Sequence, residues 1–313
     1  MDKVEQKRIA RRRFFKRLGI TIGVCAGVYC DARYIEPYRL QISRHTVLLP
    51  ELPLALDGMV IAQLTDLHYG PVTPTKTIRD AIEAVARENP QLIALTGDFV
   101  QGKVAQAVGL APLLKPLEAA PFGVVACLGN HDYPKYSGDG VANALHDRAG
   151  VRVLRNENVT VAPGLTVVGI EDTIRGKPDA VRAFAGASDR AACVFLTHNP
   201  VGIWGATRRS CVALAGHTHG GQVRFPGFPA HRPPGMAGFP MIEGWGTFDR
   251  AQLFISRGVG LGSVPFRFFC PPEVALITLK RGKGAPETVP DLAGRAINKL
   301  SRFGTDLVHR RYF

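Results

Sequence analysis

The hydrophobic and polar positions in the first half of the chain alternate between short apolar runs and stretches of helical spacing. An apolar run from Met59 to Leu64 is followed by Thr75 to Glu88, where apolar residues recur every three or four positions until Pro90. This order predicts a strand followed by a helix. The same unit recurs twice, with strands over 91–95 and 124–128 and helices over 104–117 and 141–148.

The second half contains many short strand-like runs and few helical ones. These runs lie at 151–154, 159–161, 165–170, 192–197, 211–215, 253–256 and 274–279. Alternating strands and helices followed by a strand-rich region predict an α/β (α+β) fold, a two-sheet β-sandwich flanked by helices. We expect ligands to bind on loops at the carboxyl ends of the strands.

Length and composition are those of a globular chain with tails. The 313 residues are 46% hydrophobic and 21% charged, which supplies a sizeable core. We predict a basic signal or anchor segment at 1–32, one catalytic domain at 45–280 and a basic amphipathic tail at 281–313. The six cysteines show no CxxC pair and no regular spacing, so no disulfide framework is predicted.

The net charge of +13 is concentrated in the two tails. Residues 1–17 carry eight Lys or Arg against two acids, and residues 280–313 carry eight against three. A nucleic-acid binder is expected to carry its positive charge on the folded face, whereas basic tails are typical of a chain that meets anionic lipid. The charge pattern therefore predicts contact with a membrane surface and no nucleic-acid partner.

The N-terminal segment combines a basic hexapeptide at 11–16 with an apolar run at 18–30 that is too short for a confident membrane span. It resembles a twin-arginine export signal, with Arg11 and Arg12 as the pair. Ala10 stands where Ser or Thr is usual, and no clear cleavage site lies near 30–32. Three interpretations stay open: export by the twin-arginine machinery to the extracytoplasmic face, an uncleaved anchor with the domain on the cytoplasmic face, and a basic tail with a short buried helix.

Two further segments have alternative interpretations. The Pro- and Gly-rich stretch from Phe225 to Trp245 predicts a long loop that lines a substrate groove, enters a bilayer surface or is a simple surface excursion. The stretch from Asp291 to Val308 has its apolar residues on one face and predicts an amphipathic helix. That helix would contact lipid or pack on the parent domain.

Five clusters of metal-ligand residue types follow the apolar runs, ending with Gly216-His217-Thr218-His219. Two neighbouring cations need a bridging ligand, and Asp98 is the candidate because a carboxylate offers two oxygens. His217 and His219 lie two apart, so an extended loop would project both to one side. The joint order predicts a site for two divalent cations, with Mn, Fe or Zn suited to the mixed ligands. The candidate ligands are Asp66, His68, Asp98, Asn130, His198, His217 and His219.

The succession of clusters resembles the calcineurin-like metallophosphoesterases over roughly residues 58 to 280. The stretches 64–68, 216–222 and 256–260, together with the twin-arginine segment, resemble the bacterial exported or membrane-associated phosphodiesterase branch. Val201 stands where that branch often has Asp, a departure outside the metal shell that concerns substrate choice.

The resemblance implies a role for each ligand. One metal would be held by Asp66, His68, Asp98 and His219, and the other by Asp98, Asn130, His198 and His217. His131 would stabilise or protonate the leaving oxygen, with Asp132 orienting its imidazole, while a metal-bridging hydroxide attacks phosphorus. Arg257 is a candidate phosphate contact, with a structural salt bridge as the alternative. The other histidines, His45, His146, His231 and His309, are expected at the surface.

The sequence thus predicts a binuclear-metal phosphodiesterase or phosphatase that acts on a phosphoester at a membrane surface. The basic tails favour a substrate that is linked to a lipid. One alternative is a UDP-2,3-diacylglucosamine pyrophosphatase of lipid A biosynthesis, although that substrate is cytoplasmic and an export signal would oppose it. A second alternative is a non-catalytic metal-binding scaffold. The complete ligand set, with His131 present, argues against the scaffold.

Overall fold

Two six-stranded β-sheets pack face to face in the computed structural model, which describes residues 3–262 and 264–284. Most strands lie where the apolar runs predict them. The strands are β1 Gln41–Leu49, β2 Val60–Leu64, β3 Leu92–Thr96, β4 Val124–Cys127, β5 Arg152–Val153, β6 Glu157–Ala162, β7 Leu165–Gly169, β8 Ala192–Leu196, β9 Cys211–Ala215, β10 Gly244–Phe248, β11 Ala251–Ile255 and β12 Glu273–Arg281.

The strands of each sheet that precede the predicted ligand clusters run parallel. The first sheet has the order β1-β12-β2-β3-β4-β5, with β2 to β5 parallel to one another and β12 antiparallel to β2. The second has the order β10-β11-β9-β8-β7-β6, with β11, β9, β8 and β7 parallel. Parallel strands bring their carboxyl ends to the same edge of a sheet, where loops can assemble a site.

Three of the five α-helices in the described residues cover the outer face of the first sheet: α2 Thr75–Glu88, α3 Val104–Leu114 and α4 Asp139–Ala149. Helix α1 Lys3–Cys30 is exposed, and the short α5 Ala180–Ala183 packs on the second sheet. Helix α2 has the predicted bounds, whereas α3 ends at Leu114 and the chain continues as a 3-10 turn through Pro116. Proline lacks the N–H that would continue the helical ladder, which accounts for the shorter helix.

Buried apolar side chains form three layers, and the central one lies between the sheets. Ile61 and Leu92 of the first sheet share this layer with Val194 and Leu214 of the second. The first sheet packs its other face on α2, α3 and α4, and the second sheet has a separate apolar cluster. These layers confirm the predicted α/β architecture of a two-sheet sandwich flanked by helices.

The chain between α1 and β1 packs on the domain, ahead of the predicted domain start at residue 45. The carbonyl of Ala32 accepts a 3.0 Å bond from the N–H of Arg267, and the buried carboxylate of Glu36 accepts from the N–H of Cys270. Within the described residues, 5–38 contain the one helical segment that is long and apolar enough to cross a membrane, and its apolar window is 6% buried. The amphipathic helix predicted at 291–308 lies outside the described residues.

Candidate metal centre

The predicted ligands meet where the carboxyl ends of five strands converge. Asp66 and His68 follow β2, Asp98 follows β3 and Asn130 follows β4, while the second sheet contributes His198 after β8 and the pair His217 and His219 after β9. Apolar strands buried on both faces fix the positions from which these loops depart. A Cβ at Gly129 would collide with the Asp98 carboxylate, and one at Gly216 with Thr65 and Asp66, so only glycine permits this close approach.

The backbone at the site is strained at the ligands themselves. Positive φ angles of 45° to 70° occur at five candidate ligands. Side chains other than glycine disfavour this left-handed region, and such outliers cluster at functional sites where the surrounding structure holds them. These five residues are Asp66, His68, Asp98, His217 and His219.

One group of ligand atoms is formed by Asp66, His68 and His219. The Nε2 atoms of the two histidines lie 3.0 Å apart, and Asp66 Oδ1 lies 3.3 Å from His219 Nε2. Burial lowers the pKa of His68 to about 3 and that of His219 well below its usual range. Both rings are therefore neutral near pH 7 and can offer a lone pair to a cation.

Asp98 lies between this group and a second one. Its Oδ2 atom is 3.5 Å from His68 Nε2 and 3.2 Å from His198 Nε2, whereas its Oδ1 accepts a 2.8 Å bond from the backbone N–H of His131. His198 Nδ1 lies 2.8 Å from the carbonyl of Thr96, which fixes the ring with Nε2 facing Asp98. His217 Nε2 lies 2.9 Å from the Pro234 carbonyl, and the atoms of Asp98, His198 and His217 lie within 4.8 Å of one another.

The charges of Asp98 and His198 stabilise each other. Burial opposes the ionisation of both groups, yet the carboxylates of Asp98 and Asp66 raise the pKa of His198 to about 10. In the same way, His198 and His68 hold the pKa of Asp98 well below its usual range despite its burial. A cation bound between them would replace the His198 proton, because metal ligands must be deprotonated.

Two buried side-chain atoms of the cluster residues, Asn130 Oδ1 and His68 Nδ1, have no hydrogen-bond partner within the described structure. Leaving a buried acceptor unsatisfied costs about 1–3 kcal/mol, which a coordinated cation would remove for Asn130. Carboxylate, amide and neutral imidazole donors on both sides of Asp98 therefore fit two divalent cations.

The structure gives Asp132 partners other than the predicted one. Its carboxylate accepts bonds from the backbone N–H groups of Phe99, Val100 and Gly129 at 2.9, 3.1 and 2.9 Å, and no hydrogen bond to the His131 ring occurs among the described residues. Asp132 therefore joins the loops that follow β3 and β4. The half-buried ring of His131 faces the cluster, with its centroid 4.9 Å from that of His68.

Arg257 forms the salt bridge that was the alternative to a phosphate contact. Its Nη2 lies 3.0 Å from Gln41 Oε1 and 3.5 Å from Glu273 Oε1, and its side chain is absent from the lining of the cavity at the metal centre. Of the remaining histidines, His45 differs from expectation, because it is half-buried with its ring centroid 4.5 Å from that of Phe254. His146 and His231 are exposed as expected, His231 also lines the cavity, and His309 lies outside the described residues.

A cavity of about 440 Å³ opens beside the cluster. Sequence reasoning missed Arg175, an exposed cation on its wall, whose loop is held by two N–H bonds to the buried carboxylate of Asp172 at 2.9 and 2.7 Å. Asp172 lies two residues after the apolar run at 165–170, and the predicted ligand Asp66 lies two residues after its own apolar run in the same way. His231, Pro233 and Pro234 also line the cavity, so the long loop after Phe225 borders it.

Comparison with known proteins places this geometry in a family. The model described as calcineurin-like phosphoesterase matches residues 59–221, which include every candidate ligand. The chain belongs to the calcineurin-like phosphoesterase family. The predicted resemblance is thereby confirmed, and the clustered candidate metal ligands all lie within the matched residues.

Three relatives extend the family match over most of this chain. It is 32% identical to the "Uncharacterized metallophosphoesterase YkuE" of Bacillus subtilis, over 88% of this chain and 99% of that one. It is 30% identical to the "Phosphodiesterase YaeI" of Escherichia coli, over 87% of this chain and 99% of that one. It is 26% identical to the "UDP-2,3-diacylglucosamine pyrophosphatase LpxG" of Chlamydia muridarum, over 79% of this chain and 91% of that one.

Proposed function

We propose that this chain is a binuclear-metal phosphoester hydrolase that acts on a phosphodiester at a membrane surface. The central observation is the position of Asp98 Oδ2, 3.5 Å from His68 and 3.2 Å from His198. A carboxylate with imidazoles on both sides suits two adjacent cations better than one. The similarity to the phosphodiesterase YaeI supports a diester substrate.

Each cation would have four ligands. Asp66, His68, Asp98 and His219 would hold one, and Asp98, Asn130, His198 and His217 the other, with Mn, Fe or Zn as the metals. When bound, the cations supply positive charge that stabilises the phosphoryl oxygens and activates a water. The alternative, a non-catalytic metal-binding scaffold, would give no catalytic role to this complete ligand set.

His131 is the candidate general acid. Its backbone N–H donates to Asp98 Oδ1 at 2.8 Å, which fixes the residue beside the bridge, and its ring borders the cavity. From this place the imidazole can donate a proton to the leaving oxygen, a contribution of typically 10²–10⁴-fold in rate. Asp132 is a positioning residue: it joins the loops that follow β3 and β4, and so holds His131 in place for this proton transfer.

The membrane location rests on the N-terminal segment. Helix α1 is exposed along nearly all of its length and carries the arginine pair ahead of its apolar part. Use of the twin-arginine signal would place the domain on the extracytoplasmic face, and an inward-facing anchor would place it on the cytoplasmic face. A reporter fusion with Arg11 and Arg12 changed to Lys decides between them, because export that persists in this variant contradicts the twin-arginine assignment.

A second candidate activity is cleavage of UDP-2,3-diacylglucosamine. The 26% identity to LpxG over 79% of the chain favours it. Purified protein in detergent micelles would be given this substrate and, separately, bis-p-nitrophenyl phosphate. Cleavage of the diester with no release of UMP from the nucleotide-linked lipid would exclude the pyrophosphatase.

The main proposal is tested by hydrolysis of bis-p-nitrophenyl phosphate with Mn²⁺. We expect the parent protein to be active and His131→Ala to lose roughly 10²–10⁴-fold in kcat while keeping its metal content. Exposed His146→Ala is the matched control. Full activity in His131→Ala, or an inactive parent with both metals bound, would contradict the proposal.

A further inference from the structure

Large apolar side chains project into solvent around the C-terminal end of α1. We call five of them the apolar rim: Tyr34, Phe225, Phe228, Val264 and Phe269, whose exposed fractions range from 43% to 76%. Soluble proteins seldom leave neighbouring large rings exposed without an interaction to cover them. The rim therefore has the character of an interaction surface.

Ring contacts connect the rim with the helix. Phe225 and Phe269 both contact Phe268, with centroid distances of 5.4 and 4.6 Å. On the other side, Tyr29 of α1 lies 5.7 Å from Phe266 and 6.2 Å from Tyr34. The rim is thus continuous with the last turn of the helix.

The backbone fixes this end of the helix to the same loop. The carbonyl of Ala32 accepts the N–H of Arg267, and Glu36 accepts the N–H of Cys270. At 1.5 Å per residue, the apolar run at 18–30 extends roughly 20 Å from this point, which reaches well into a hydrocarbon core of about 30 Å. If α1 enters a bilayer, the rim must lie at the bilayer surface.

The rim also borders the metal-site cavity. Val264 lines the cavity, as does Gln222, whose Nε2 donates to the carbonyls of Val264 and Phe266 at 2.7 and 3.0 Å. The cavity mouth and the rim are therefore built on one pair of loops.

One rim residue is held outward against its backbone preference. Phe269 has φ 50°, a left-handed conformation that a bulky side chain disfavours, and its ring is 57% exposed. Strain of this kind persists where the surrounding structure imposes it. Here the strain presents an aromatic ring to solvent. At another rim residue, Tyr34, the guanidinium of Arg33 lies 5.1 Å from the ring. Aromatic rings with adjacent cations are typical of membrane interfaces.

We propose that the apolar rim is a bilayer-contact surface that seats the cavity mouth on the lipid headgroups, so that the phosphoester enters from the membrane. The inference rests on the proposed function for the substrate, and on the rim and helix α1 for the bilayer as the partner. The partner is a lipid bilayer, because the rim continues the helix that has the length and composition to enter one.

The contact is tested with tryptophan probes in the full chain. Phe228→Trp carries the probe in the rim, and Val181→Trp is the matched control, since both positions are 76% exposed. Each variant is reconstituted in vesicles of phosphatidylglycerol and acyl-brominated phosphatidylcholine, with the native Trp204 and Trp245 as common background. We expect bromine quenching of the probe at 228 and none beyond background at 181. Equal quenching at the two positions would overturn the proposal.

Kinetics separate the rim from the chemistry. The variant Phe225→Ser/Phe228→Ser/Phe269→Ser, with Val181→Ser as control, is assayed on soluble bis-p-nitrophenyl phosphate and on the p-nitrophenyl ester of phosphatidic acid in vesicles. Soluble turnover should stay at the parent rate, which also shows that the variant is folded. Vesicle turnover should fall about tenfold or more, because withdrawing one phenylalanine ring from an apolar phase changes an equilibrium by roughly 10- to 100-fold.

The two assays fail in different ways. A parent that hydrolyses neither substrate contradicts the proposed function, while the quenching result still decides the surface. A rim variant that cleaves the vesicle substrate at the parent rate contradicts the surface and leaves the proposed function intact. Rim contact with a protein or with a second copy of the chain would give this second result.

Discussion

Arg267 offers the most informative test of how the metal centre is supported. Its side chain is fully buried without a carboxylate partner among the described residues. Instead, the guanidinium makes five hydrogen bonds of 2.8–3.2 Å to four backbone carbonyls, and Nη2 lies 3.5 Å from His219 Nδ1. Those carbonyls belong to Arg257, Gly258, Gly260 and Cys270.

The change Arg267→Met keeps a long apolar side chain and removes every donor. Gly258 retains a bond from Glu273, so three carbonyls lose the partner that the structure gives them. Each unsatisfied acceptor costs about 1–3 kcal/mol, and removal of a desolvated charge offsets part of that sum. We expect a net loss of about 3 kcal/mol in the free energy of unfolding, or roughly 6–12 °C in Tm.

The same change should weaken metal binding, because the lost guanidinium lies beside a candidate ligand. Altering a group that supports a ligand typically lowers metal affinity 10- to 100-fold. Thermal unfolding with EDTA and metal titration followed by calorimetry measure the two effects separately. Arg79→Met, at an exposed position, is the matched control. If Arg267→Met had the same Tm as Arg79→Met and bound Mn²⁺ with the same affinity, the carbonyl contacts would have no stabilising role.

Three further predictions concern the ligands and the cavity. Mn²⁺ at 100 times its Kd should raise the free energy of unfolding of the parent, measured in urea, by about 2.7 kcal/mol for each site. The same Mn²⁺ concentration should raise that of Asp98→Asn by at most a fraction of this amount, and equal increases would exclude Asp98 as a ligand. In EDTA, the lowered pKa values of His68, His217 and His219 should each cost the folded state roughly 1 kcal/mol as the pH falls from 6.5 to 5.5, because the unfolded chain takes up these protons first. The raised pKa values of Asp66, Asp132, Asp172 and His198 act in the opposite direction in every variant that keeps them. His217→Gln should therefore lower the pH-dependent loss of stability by roughly 1 kcal/mol relative to the parent, measured by urea unfolding at the two pH values; an unchanged pH dependence would contradict the pKa direction of His217. Arg175→Met should raise the KM for bis-p-nitrophenyl phosphate about tenfold with kcat little changed, as expected for a lost charged contact, and a fall in kcat at constant KM would exclude a binding role.

The sequence predicted the sheets and brought the ligands together because both depend on local signals. Short apolar runs specify β2, β3, β8 and β9, and the ligands lie in the loops that follow them. Strand β1 was missed because its outer residues are polar and its pairing partner, β12, lies more than 200 residues away. No local pattern marks such a pairing.

The roles of charged residues were harder to predict because they depend on tertiary partners. Asp132 was expected to hold a ring and instead accepts three backbone N–H groups, and Arg257 pairs with Glu273 rather than facing the cavity. Arg267 has no local feature that distinguishes it from a surface arginine, and arginine is rarely buried. Its importance follows only from the carbonyls that the fold gathers around it.

The contact between Arg267 and Ala32 bears on the fate of the N-terminal segment. A chain cut near residues 30–32 would detach α1 and place a charged terminus beside Ala32, whose carbonyl accepts from Arg267. The residues that follow, including the buried Glu36, would lose the helix that precedes them while still having to pack against Cys270. Cleavage at that point would therefore disturb the loop that supports His219, whereas a retained helix keeps it intact. This physical argument favours an anchor that stays attached over a signal that is removed, and it predicts that the mature protein retains residues 1–30 by mass spectrometry.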